Sequence, residues 1–328
     1  MFKKILIPLL LSCPMVNSQV ITQNFGAGAN AFSIDFVRIG NAGNAADTSG
    51  NPNPAGSVSY TYNIGKYEIS RDMINKANAL GGLNITMADF SISTPDIPYR
   101  GGNGADRPAP GISWYDAARF VNYLNTSSGS SAAYKFDVSG NFQLWSSSDA
   151  GYNAGNKFRN NLATYFLPSM DEWYKAAYYD PSKNSGLGGY WLFATQSNSA
   201  PSYSSGGTSP NSAIYGDQTS PADITNAGGL SAYSTMAQGG NLWEWLETAN
   251  DLSNNNASEL RAIRGGGFDN INTDSYQESN SASASSGSQP TDGNMKNGFR
   301  IVMVPEPSAL SLLAVGLGGL AMMRRRRS

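Results

Sequence analysis

Glu244 stands between Trp243 and Trp245 in the run Gly240-Asn241-Leu242-Trp243-Glu244-Trp245, and no other carboxylate has surroundings that so invite a chemical reading. A carboxylate framed by indoles is either a catalytic acid or a buried charge held by an arginine, and the aromatic frame favours the buried pair. Arg264 and Arg300 are the candidate partners, because a planar guanidinium fork matches a buried carboxylate. Asp171 and Glu172 are the carboxylates that could join Glu244 in chemistry. A convergent pair about 5–9 Å apart would permit a carboxylate-dependent hydrolase or transferase of the glycosidase kind. Other repertoires are closed. The 328 residues include no histidine and one cysteine, Cys13. With Cys13 in an N-terminal leader, the mature chain has no cysteine nucleophile, no Ser-His-Asp triad and no histidine-ligated zinc, iron or copper site. Gly265-Gly266-Gly267 lacks the strand–helix setting and the following Lys-Ser/Thr of a phosphate loop, so it reads as close backbone packing. Trp114, Trp173 and Trp191 read as core residues.

Both ends of the chain carry processing signals. Lys3 and Lys4, the apolar run 5–11 and the small residues Val16-Asn17-Ser18 form an export leader, residues 1–18, cleaved before Gln19. At the other end stand Pro305-Glu306-Pro307, an uncharged segment 309–323, and Arg324, Arg325, Arg326 and Arg327. Fifteen residues fall short of the roughly 20 that span a bilayer, and a basic cluster closing a short apolar tail is the logic of a removable sorting signal. The triplet, tail and cluster in residues 304–328 resemble the PEP-CTERM signal, which implies an exosortase-type processing enzyme as partner. The resemblance also implies delivery to the cell envelope, outer surface or extracellular matrix of a Gram-negative bacterium. The membrane is then met only transiently, through the tail. Without Lys3, Lys4 and the four terminal arginines, 16 basic residues face 24 acids, a formal charge of −8. That balance disfavours nucleic acid. An exported chain without cysteine relies on core packing, ions or partners instead of disulfides.

The elements between the signals are short. Phe32, Ile34 and Phe36 alternate with polar residues as in a half-buried strand, and 58–69 reads as one or two paired strands. Ser70 N-caps a helix with Met73, Ile74, Ala77 and Leu80 on one face and Gly81-Gly82 as its stop. Ser113 with Asp116, and Ser169 with Glu172, have capping-box spacing ahead of the stripes Trp114/Ala117/Ala118/Val121/Leu124 and Trp173/Ala176/Ala177. Residues 261–264 and 299–304 read as short strands, and 279–288 as a solvated loop. With neither a repeat nor a linker, 19–303 is one domain.

Six local sequences resemble one family. These are Ile64-Gly65-Lys66-Tyr67-Glu68-Ile69-Ser70, Ile112-Ser113-Trp114-Tyr115-Asp116-Ala117-Ala118 and Leu167-Pro168-Ser169-Met170-Asp171-Glu172-Trp173, then Gly240–Trp245, Arg264-Gly265-Gly266-Gly267-Phe268 and Gly298-Phe299-Arg300. In this order they resemble the formylglycine-generating-enzyme, or sulfatase-modifying-factor, family, whose "LPTEAEWE", "GNVWEW" and "RGGSW … GFR" elements they match. The resemblance implies an irregular, loop-rich α+β fold with a C-type-lectin-like core. It also implies two cysteines for copper after the "RGGS" element, or, in related sulfoxide synthases, histidines for iron. The stretch 268–297 has neither, so formylglycine and sulfoxide chemistry are not expected, nor is copper, iron or zinc. The family's structural calcium, held partly through "GNVWEW", would here fall to Asn241, the Leu242 carbonyl and Glu244, oxygen donors of the kind Ca²⁺ takes. The expected function is a non-catalytic exported binding or structural module of the cell envelope or extracellular polysaccharide matrix, binding glycan or protein if it binds at all. The alternative is the carboxylate hydrolase or transferase.

Overall fold

The computed structural model describes residues 19–92, 100–216, 218–269 and 286–304. The expected leader 1–18 with Cys13, and the sorting residues Pro305, Glu306, Pro307, Arg324, Arg325, Arg326 and Arg327, lie outside them. The strands that position the site are β1 (Val20–Phe25), β2 (Phe32–Ile39), β3 (Tyr62–Gly65), β4 (Tyr165–Phe166), β5 (Trp243–Ala249), β6 (Arg261–Arg264), β7 (Ser286–Ser288), β8 (Asn297–Gly298) and β9 (Val302–Met303).

β1 and β2 form an antiparallel hairpin in register from Val20↔Val37 to Phe25↔Phe32. Phe32, Ile34 and Phe36 turn inward while Ser33 stays exposed, as a period of two requires. β3 pairs with β2, and the last strand, β9, inserts between β3 and β4, so that Val302 faces both Ile64 and Phe166. The last described strand therefore lies inside a five-stranded sheet of order β1-β2-β3-β9-β4. Only Tyr62–Gly65 of the expected strand 58–69 pairs in the sheet, because its flanks bond to loops: Val58 accepts from Gly43, and Ile69 donates to Phe299. Likewise 299–304 shortens to Val302–Met303.

A second sheet, β7-β6-β5-β8, carries the tryptophan-rich strand at its centre. Ser286–Ser288 falls in the segment read as a solvated loop, yet it forms a strand because residues 261–263 offer a free ladder edge, with Arg261↔Ser288 and Ile263↔Ser286 in register. The earlier part of that segment lies outside the described residues.

Three helices pack on this frame. α1 (Arg71–Gly81) starts where the Ser70 hydroxyl accepts the Met73 N–H, and it stops at Gly82, whose φ of 60° is a left-handed C-cap. Ile74 and Ala77 are buried, but Leu80 is 44% exposed, beyond the edge of the apolar stripe. α2 (Trp114–Ser127) and α3 (Met170–Tyr178) begin at Ser113 and Ser169, and the Ser169/Glu172 capping box is complete in both directions. Trp114 anchors the core with its ring edge-on to Tyr134 and Phe142 at 5.1 and 5.0 Å. The result is a mixed α+β fold that is mostly loops and short strands.

Candidate binding groove

Two ionic nodes lie inside this fold, and the alternation of β5 explains the first. Trp243 and Trp245 share one face of the strand, so Glu244 points away from both. The indole that reaches it belongs to Trp173 on α3, whose Nε1 donates to Glu244 Oε2 at 2.7 Å. Arg300 supplies the counter-charge through two parallel bonds of 2.6 Å, from Nε to Oε2 and from Nη2 to Oε1. Both residues are fully buried. Arg300 also donates to the carbonyls of Gly65, Lys66 and Met236, so its five N–H groups are well used.

Arg264, the other expected partner, sits directly opposite Glu244 in the β5–β6 ladder. Its guanidinium goes elsewhere: it lies over the rings of Trp173, Tyr174 and Tyr178 at 5.5, 5.1 and 5.8 Å and donates to the Asn51 carbonyl at 2.7 Å. The ion pair to Glu244 is Arg300's.

The groups expected to hold calcium do not form a donor set. Asn241 Oδ1 accepts the Ala222 N–H at 2.7 Å, and its Nδ2 donates to Glu68 Oε2 at 2.5 Å. The Leu242 N–H also points at Glu68, at 3.1 Å. Glu244 has both oxygens filled by the guanidinium and the indole. The side-chain oxygens of Asn241 and Glu244 thus each accept from a donor, and a cation beside Arg300 would meet a fixed positive charge. Buried Glu68, within the motif that opens the domain, completes this node. Burial first, and the Glu244 charge second, push its carboxyl well above the usual carboxylate range. Packing around the node is tight: a Cβ on Gly240, whose φ is 100°, would stand 2.4 Å from the Ile214 carbonyl oxygen.

The second node was not legible from motifs. Arg159, on the loop before β4, bridges Glu247 of β5 and Glu172 of α3. Its Nε donates to both Glu247 oxygens at 3.0 and 2.9 Å, and Nη2 reaches Glu172 Oε2 at 3.4 Å. Tyr134 and Asn156 also donate to Glu247, at 2.9 and 2.5 Å, while Tyr60 and the Ser169 N–H donate to Glu172 at 2.8 and 2.7 Å. Burial alone would pull the guanidinium pKa down, but Glu247 and Glu172 outweigh it and hold Arg159 well above the ordinary arginine range. Glu172 is thus linked to Glu247, and its own contacts are distinct from those of Glu244. Asp171 faces outward and accepts the Gly56 N–H at 2.7 Å. Among the described residues, Asp171 and Glu172 share no hydrogen-bond partner with Glu244.

This node floors an open groove. One lobe, about 590 Å³, is bounded by Tyr60, Thr61, Asn161, Arg159 and Val304. A second, about 250 Å³, holds Asp171, Thr248 and Asn254, and the lobes meet at Asn156 and Ser169. Tyr60 is 43% exposed, its hydroxyl tied down to Glu172 and its ring at the opening. Arg159 Nη1 makes no hydrogen bond to any described residue, although the side chain is only 11% exposed. Val304, the last residue before the sorting triplet, borders the same lobe and bonds to the Thr164 carbonyl at 3.0 Å. From the sequence, the Ser169/Glu172 capping spacing and the candidate carboxylates Asp171 and Glu172 pointed towards this place. Tyr60, Arg159 and Glu247 come from loops and strands whose meeting leaves no periodic trace.

Among solved structures, Treponema denticola variable protein 1 is similar over 87% of this chain and 99% of its own, at 17% identity and a TM-score of 0.56. CarF is similar over 83% of this chain and 99% of its own, at 17% identity and a TM-score of 0.57. At such identities the likeness is one of fold. No curated protein sequence matches the chain. The PEP-CTERM protein-sorting motif matches residues 304–327, which marks an exported, envelope-associated bacterial protein processed by an exosortase-type enzyme. The sulfatase-modifying factor enzyme 1-like domain matches residues 34–304, and with the six motifs embedded in this fold the chain belongs to that family.

Proposed function

We propose that this protein is a non-catalytic binding module of the cell surface or extracellular polysaccharide matrix, and that the groove over Arg159 takes glycan. The observation that carries the reading is the state of the groove's carboxylates. Both oxygens of Glu172 and of Glu247 already accept hydrogen bonds from Arg159, Tyr60, Tyr134, Asn156 or the Ser169 amide. A carboxylate so engaged is a poor proton acceptor or nucleophile. What remains open is recognition equipment: an aromatic face, a charged donor, and side-chain amides and hydroxyls in a preformed cleft. Asp171, exposed and with one oxygen uncommitted among the described residues, is the carboxylate a hydrolase would have to use, and glycoside hydrolysis needs a second one placed across the bond. The mature protein should hold oligosaccharide without shortening it, and should not convert cysteine to formylglycine in a sulfatase-motif peptide with or without copper. Product above a protein-free control in either assay overturns the non-catalytic reading.

A further inference from the structure

Resting on that reading, we infer that the groove selects uncharged glycan chains and rejects acidic ones. The floor contains two buried carboxylates, Glu172 and Glu247, for one guanidinium, so its fixed charge is negative. Asp171 adds another negative charge in the second lobe. Arg159 is the basic side chain of the lining, and its Nε and Nη2 are spent on the two glutamates. The remaining Nη1 carries two N–H donors, suited to sugar hydroxyls or a ring oxygen. A uronate or sulfate there would bond to this already doubly paired guanidinium and face a net negative floor whose glutamates have no freedom to move away. An uncharged pyranose meets no such field. Its apolar face can lie on the Tyr60 ring while its hydroxyls find Arg159 Nη1 and the side chains of Thr61 and Asn161. The two lobes meeting at Asn156 and Ser169 suit consecutive sugars of a chain. The mature chain's formal charge of −8 adds long-range repulsion of acidic polymers.

The test uses protein recovered from envelope fractions of the native host, immobilised and probed with a neutral glucan and with alginate. The inference expects glucan to bind at least tenfold more tightly than alginate. Tyr60→Ala should weaken glucan binding about tenfold, and Asn161→Lys, a change at an exposed position, should improve alginate binding. Alginate binding as well as glucan overturns the selectivity but leaves glycan binding standing. Binding of neither by a folded protein, or glucan binding indifferent to Tyr60→Ala, overturns the groove's assignment itself.

Discussion

Replacing Glu244 with glutamine isolates what the first buried node contributes. The substitution keeps shape and removes one charge. Both carboxylate oxygens accept from donors, Arg300 Nε and Trp173 Nε1 on one and Arg300 Nη2 on the other. Either orientation of a glutamine amide therefore sets an NH₂ group against an N–H. Breaking one half of a buried pair costs about 3–5 kcal/mol. Arg300 retains the Gly65, Lys66 and Met236 carbonyls, which spread part of its charge, so the lower end, about 3 kcal/mol, is expected. For a domain of this length that corresponds to a fall in melting temperature of roughly 6–12 °C. Glu68 adds a signature. In the wild type the Glu244 charge helps keep its carboxyl protonated, while Arg300 pulls the other way. Once Glu244 is neutral, Glu68 can ionise and partly replace it, so the deficit should be larger at pH 5 than at pH 8. Urea unfolding at both pH values, with an unchanged slope, measures this. A loss below about 1 kcal/mol would contradict the ion-pair account. So would a wild-type melting temperature that falls on adding EGTA, because that would place calcium among these ligands.

Glu68 also sets a pH trend in the wild type. Its native carboxyl stays protonated up to about 8, whereas an unfolded glutamate ionises near its ordinary value of about 4.3. The native state therefore holds the extra proton, and this contribution is complete below the unfolded pKa and lost as pH rises towards about 8. Glu68→Gln should flatten the decline, and a slope that persists unchanged in its melts assigns the effect to another group. Lys175 is fully buried with one hydrogen bond among the described residues, to the Asn41 carbonyl, and burial lowers its pKa to about 8. Lys175→Met should therefore stabilise the protein by about 1–3 kcal/mol at pH 7; a destabilised variant in urea unfolding would show that the ammonium is better compensated than its contacts indicate. Intact-mass analysis of envelope fractions should find a chain that begins near Gln19 and lacks Arg324 to Arg327, and recovery of the full tail would favour a plain anchor.

Local chemistry made the family, the capped helices and the sorting signal legible in the sequence. Ser70, Ser113 and Ser169 cap the helices that follow them because a hydroxyl reaches a backbone N–H three residues on, and such spacing survives in any context. The absence of histidine, and of any cysteine beyond Cys13, bounds the chemistry in the same context-free way. What tertiary structure decided was which distant side chains meet. Arg264 is the residue in register with Glu244, yet three aromatic rings draw its guanidinium aside, and Arg300, 56 positions away, takes the carboxylate. Tyr60, Arg159, Glu172 and Glu247 come together only because β9 closes one sheet beside β4 while α3 docks against β5. A buried charge takes the partner that packing delivers at bonding distance, and packing depends on the whole chain at once.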